Sequence, residues 1–141
     1  MTETQWINVG VLTIRCADEG PSAAPVVMMS HSLSAELEMW TPQAEALKDR
    51  YRVVRFDTRG HGGTDAPEGP YKLDMLADDA LGLMDAQAED KALWVGMSMG
   101  CIIGKHVALK AGDRLLSVTL SATSSGYRWE SVAGWGRWGA A

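Results

Sequence analysis

The stretch "ALWVGMSMGCIIG", residues 92–104, runs from an apolar segment into a lone serine framed by glycines. Read as strand, turn and helix, it puts Ser98 at the centre of a G-x-S-x-G pattern made by Gly96, Met97, Ser98, Met99 and Gly100. The chemistry explains the spacing. A nucleophile has to stand clear of the sheet on a sharp, strained turn, and glycines at 96 and 100 let strand and helix approach without Cβ clashes. The helix then points its free N–H groups and positive dipole end at charge developing near Ser98. The bland alternative is a structural turn serine, because five residues of this pattern often arise by chance.

The rest of the chain supplies the context such a serine needs. "TQWINVG" and "VLTIRCA" read as β-rich runs meeting at Gly10, an opening hairpin. "PVVMMS" (25–30), "YRVVRFD" (51–57), "KALWVG" (91–96) and "RLLSVTLSA" (114–122) read as further strands, the first of them apolar enough for a buried parallel position. Between them lie a helix with Thr41 as cap and Pro42 in its first turn, a helix with apolar positions 73, 76, 77, 80, 81 and 84 on one face, and a helix over 99–112. This alternation predicts an α/β fold: a hairpin, then a mostly parallel sheet of about six strands with helices on both faces.

Composition narrows the function. The 141 residues carry a formal net charge of -5, and no Lys/Arg cluster exceeds two or three residues, so nucleic acid and anionic membrane surfaces are poor partners. No apolar run approaches the roughly eighteen residues of a membrane span, and "MTETQWINVG" lacks a secretion signal. Cys16 and Cys101 read as reduced, packed thiols of a cytoplasmic protein. The scattered histidines and cysteines form no legible metal cluster. "GCIIGKH" lacks the spacing of a phosphate loop, and "GHGG" that of a dinucleotide fingerprint.

A serine nucleophile also needs a second oxyanion donor, and "MMSHSLSAELEMW" (28–40) follows an earlier strand at the right place. The backbone N–H groups of Leu33 and Met99 are the expected pair, a feature worth roughly 3 kcal/mol in comparable sites. Taken together, "HSLSAELEMWTPQ", "RFDTRGHGGTDAPEGPY" and "GMSMG" resemble the α/β-hydrolase family, most nearly 3-oxoadipate enol-lactonases and related esterases, from about residue 7 to 125. The resemblance implies Ser98 as nucleophile, Leu33 and Met99 as oxyanion donors, and a structural role for the Asp57–Arg59–Gly60–Gly62 loop. It also implies a small ester or lactone substrate and no cofactor or metal. Two departures stand out: Ser32 follows His31 where many relatives have glycine, and Cys101 replaces a glycine common after the elbow.

The serine's partners are the open question. The nucleophile needs a base and the base an orienting acid, in the chain order Ser, Asp/Glu, His. After Ser98 the acids are Asp113 and Glu130, and the only later histidine, His106, lies eight residues along the same helix, about 12 Å down its axis. The stretch therefore reads as the N-terminal half of such an enzyme, residues 1–126, with the last two strands and the cap absent. Residues 127–141, "YRWESVAGWGRWGAA", form a Trp/Gly-rich tail, the start of a cap or a swapped segment. His31 is the best candidate base within the chain, with His61 behind it, although the more ordinary reading of His31 is a loop histidine that holds the turn by hydrogen bonds. A histidine from a second subunit, or an acid and base on polypeptide outside this sequence, are the alternatives. The last strand should expose an edge, which predicts self-association through that strand or the tail. The leading expectation is an acyl-enzyme hydrolase of carboxylic esters or lactones. The rival is a catalytically impaired half-domain that assembles or binds small acyl ligands.

Overall fold

A computed structural model describes residues 2–123. In chain order the elements are β1 (Gln5–Val9), β2 (Leu12–Glu19), β3 (Val26–Ser30), a 3-10 turn (Leu37–Trp40), α1 (Thr41–Leu47), β4 (Arg52–Phe56), α2 (Leu73–Ala86), β5 (Ala92–Met97), α3 (Met99–Ala111), a second 3-10 turn (Gly112–Arg114) and β6 (Leu115–Ser121). They build one six-stranded sheet in the order β1-β2-β4-β3-β5-β6. The β1–β2 and β2–β4 pairs are antiparallel, and β4, β3, β5 and β6 are mutually parallel. The expected tail at 127–141 lies outside the described residues.

The layering follows from β3, which is buried at all five positions. Successive side chains of a strand point to opposite faces. Val26 and Met28 therefore join Leu76, Leu83, Trp94 and Ile103 in a large cluster under α2 and α3, whereas Val27 and Met29 join Trp40, Ala44 and Val53 under α1. Helices on both faces explain why a continuous apolar run was needed here. Each fully buried aliphatic side chain, such as Met28, Leu83 or Ile103, contributes about 1.5–3 kcal/mol.

Thr41 does not cap α1. It has helical dihedrals of φ -53 and ψ -47 and starts the helix, while its hydroxyl accepts a hydrogen bond from Arg55 Nη1 at 3.0 Å. A buried guanidinium has outbid the helix's own amides for that oxygen, since a charge-assisted bond is the stronger one. At the sheet's far margin β6 exposes Leu116, Val118 and Leu120 by 57%, 37% and 37%.

Candidate active site

Ser98 sits between β5 and α3 with φ 50 and ψ -107, a strained backbone that costs a non-glycine residue on the order of 1–3 kcal/mol. The surroundings enforce it. Ser98 N–H donates to Ser121 O at 2.9 Å, and Ser98 O accepts from Cys101 N–H at 3.0 Å and Ile102 N–H at 3.3 Å. A Cβ at Gly96 would come within 2.5 Å of the Gly100 backbone, and one at Gly100 within 2.1 Å of Ser30 O. The two glycines let α3 start directly on β5 and beside β3. Among the described residues Ser98 Oγ makes no hydrogen bond, and the side chain is half-buried. The Met99 amide, first of α3, has no backbone acceptor among those residues either, as the first turn of a helix dictates.

Cys101, in the first turn of α3, is fully buried. Its Sγ lies 3.0 Å from the carbonyl oxygens of both Gly96 and Ser121 and accepts Ser121 N–H at 3.2 Å. The thiol thereby stitches β5 to the end of β6.

Leu33 follows β3, whose residue Ser30 pairs with Gly96 of β5. The loop bearing Leu33 and the elbow bearing Ser98 thus leave the carboxyl ends of neighbouring parallel strands, where ligands of open α/β sheets bind. The Leu33 side chain packs against the larger core cluster, and its amide has no backbone acceptor among the described residues. Ser32, placed where glycine was expected, gives its N–H to Met39 Sδ at 3.4 Å.

His31 is fully buried and fully engaged. Thr58 N–H donates to its Nε2 at 2.9 Å, and its Nδ1 meets Ser32 O at 2.8 Å. A carbonyl oxygen only accepts, so Nδ1 carries the proton and Nε2 is the acceptor. No lone pair is left for the serine's proton, and burial pushes the ring down to about 4. Both ring nitrogens are thus engaged, and the ring fastens one loop to another. His61 stacks obliquely on it at 5.1 Å. The His61 Nδ1 meets Arg59 O at 3.1 Å, while its Nε2 is buried without a hydrogen-bond partner among the described residues. His106 pairs with Asp74 Oδ1 at 2.8 Å and joins α3 to α2, away from the elbow.

The glycine-rich loop after β4 is organised by its first residue. Asp57 is fully buried; its Oδ1 accepts Leu37 N–H at 2.7 Å and its Oδ2 accepts Gly63 N–H at 2.8 Å and Arg15 Nη1 at 3.0 Å. Gly62 has φ +49, and a Cβ there would fall 2.1 Å from Asp57 Oδ2. Gly60, with φ +76, lies under the Tyr71 ring. Arg59 holds Asp79 of α2 through two bonds of 2.8 Å and lies 5.7 Å from the centre of the Tyr71 ring. Asp79 in turn holds the guanidinium above its ordinary range.

Sequence reasoning missed Arg15 and Arg55. Arg55 is fully buried and bonds Glu19 Oε2 at 2.6 Å, Thr2 Oγ1 at 3.0 Å and Leu37 O at 3.3 Å. The available signal was a cation placed by strand periodicity among apolar residues. Burial raises the Cys16 thiol to about 11, as for a packed and unreactive group. Among the described residues no group of three or more His, Cys, Asp or Glu could hold a metal ion, and no helix is long and apolar enough to cross a membrane.

The chain matches the family described as alpha/beta hydrolase fold over residues 25–138. It is 38% identical over 113 residues to 3-oxoadipate enol-lactonase 1 of Acinetobacter baylyi, covering 80% of this chain and 42% of that protein. To 3-oxoadipate enol-lactonase 2 of the same organism it is 33% identical over 114 residues, covering 81% and 43%. The solved enol-lactonase from Burkholderia xenovorans superimposes with a TM-score of 0.79 at 39% identity, over 81% of this chain and 45% of that one. The chain therefore spans less than half the length of these relatives.

Proposed function

This chain belongs to the α/β-hydrolase family, and from that premise we propose that it carries the nucleophile and oxyanion hole of a hydrolase acting on small carboxylic esters or lactones. Ser98 Oγ attacks the carbonyl carbon as its proton passes to the general base. The ester or lactone C–O bond breaks, the departing oxygen takes up that proton, and water then hydrolyses the acyl-enzyme to the carboxylic acid and the free serine. The amides of Leu33 and Met99 receive the negative charge that develops on the carbonyl oxygen. The observation that carries this reading is the strained Ser98 backbone at the head of α3, with a hydroxyl that has no hydrogen-bond partner among the described residues. Strain of that kind persists only where the surroundings over-determine it, and it clusters at sites of chemistry. The ester or lactone class is supported by the enol-lactonase relatives.

In this reading His31 is a structural residue and the general base and its acid come from residues outside this sequence, in a continuation of the chain or a second subunit. The test is exposure to a fluorophosphonate followed by peptide mass spectrometry, with hydrolysis of a short-chain nitrophenyl ester as companion. An adduct on Ser98 and loss of turnover in Ser98→Ala are expected. Undiminished turnover in that variant, or an unmodified Ser98, removes the serine from the mechanism.

A second reading, assembly through β6, is favoured by the exposed Leu116, Val118 and Leu120. An edge strand with free backbone groups and an apolar flank pairs readily with another chain. Sedimentation velocity reads it directly: a concentration-dependent dimer supports assembly, and a monomer at every concentration rejects it.

A further inference from the structure

Resting on the assignment of Leu33 as an oxyanion donor, we propose that Arg55 and Asp57 are positioning residues: with Thr58 they grip both ends of loop 32–36 and so set the direction of the Leu33 amide. At the near end, Thr58 N–H donates to His31 Nε2 at 2.9 Å, and His31 Nδ1 meets Ser32 O at 2.8 Å. At the far end, a single residue is held on both sides. Leu37 N–H donates to Asp57 Oδ1 at 2.7 Å, and Leu37 O accepts from Arg55 Nη1 at 3.3 Å. Arg55 lies on β4 and Asp57 just past its end, and both side chains reach the same residue, Leu37.

The loop has little of its own to hold it. Its backbone makes one internal bond, Ala35 N–H to Ser32 O at 3.1 Å, and Ser34 turns through φ 61. The anchors, by contrast, are rigidly backed. Arg55 is braced by Glu19, Thr2 and Thr41. Asp57 is braced by Arg15 and by the Gly63 amide. Both anchor side chains are fully buried, so each charge is committed to its partners and the bonds to Leu37 are charge-assisted, about twice as strong as neutral ones. An oxyanion donor misplaced by about 1 Å loses most of its value. A loop with so few internal bonds needs such outside fixing.

Arg55→Lys tests this, because it keeps a cation facing Glu19 but gives up the planar fork that reaches Leu37 and Thr41. Amide hydrogen exchange over 31–37 should accelerate about ten-fold, the value of roughly one lost charge-assisted bond, while β3 and β5 keep their protection. Fluorophosphonate labelling of Ser98 should slow by about the same factor. Unchanged exchange over 31–37, or a rise shared equally by β3 and β5, overturns the proposal. If the wild-type chain shows no Ser98 adduct, the nucleophile reading fails by itself, since exchange still reads the clamp. Should Arg55→Lys not fold, Thr41→Val removes one acceptor of the guanidinium and is scored by the same exchange criterion.

Discussion

Thr58 N–H donates to His31 Nε2 at 2.9 Å, and both residues are buried. The bond needs a neutral ring, and burial lowers the folded-state value of His31 to about 4 from its ordinary 6.5. As pH falls, the unfolded chain takes up the proton first, so stability is complete above about 6.5 and drains away toward 4. The loss is on the order of 3 kcal/mol across that window. Urea unfolding at pH 7 and pH 4.5 should show the drop in the wild type, and a much flatter response in His31→Gln. Equal drops in the two proteins would mean that other groups titrate the fold.

Gly62→Ala should be among the most damaging single-methyl changes in the molecule. The added carbon would sit 2.1 Å from Asp57 Oδ2 at a φ of +49. The left-handed backbone alone costs about 1–2 kcal/mol, and the clash forces the Asp57 carboxylate off its partners. A loss of more than about 2 kcal/mol in denaturant midpoint is expected; a change within ~0.5 kcal/mol would show that the loop relocates freely.

Ser98→Gly should separate stability from chemistry. Its φ of 50 and ψ of -107 are strained for serine and open to glycine, so relief of about 1–3 kcal/mol outweighs glycine's entropic cost of roughly 0.5–1 kcal/mol. The variant should melt higher and take up no phosphonate. A lower melting temperature would indicate that the elbow is not strained.

Asp79→Asn should loosen the glycine-rich loop from α2. It breaks a two-bond pair in which both side chains are 12% exposed and strands the Arg59 charge beneath Tyr71. Removing one partner of such a pair costs about 3 kcal/mol. Thermal unfolding checks this, and an unchanged midpoint would place the pair among solvent-screened surface contacts.

How far the sequence could be read depended on how local the physics was. The elbow was legible because Gly96 and Gly100 answer to the strand and helix they join, within five residues. The order of strands and helices was legible because β3 and α2 carry their periodicities openly. His31 was legible as a loop residue following β3, but its two readings, base or turn-holding residue, stayed open, since the Thr58 amide that bonds it arrives 27 residues later. Arg55 was passed over for a related reason. Its acceptors Glu19, Leu37 and Thr41 lie on three different elements, and that same convergence diverted Thr41 from the capping role its position suggested.

Ser98 N–H and Ser121 O share a hydrogen bond of 2.9 Å, which makes the outermost strand a mechanical lever on the elbow. Under the proposed reading, a chain docking along that margin would act on the backbone of residue 98 through that one hydrogen bond. If Ser98 is the nucleophile and that margin the assembly surface, as proposed, docking there and phosphonate labelling of Ser98 should change together.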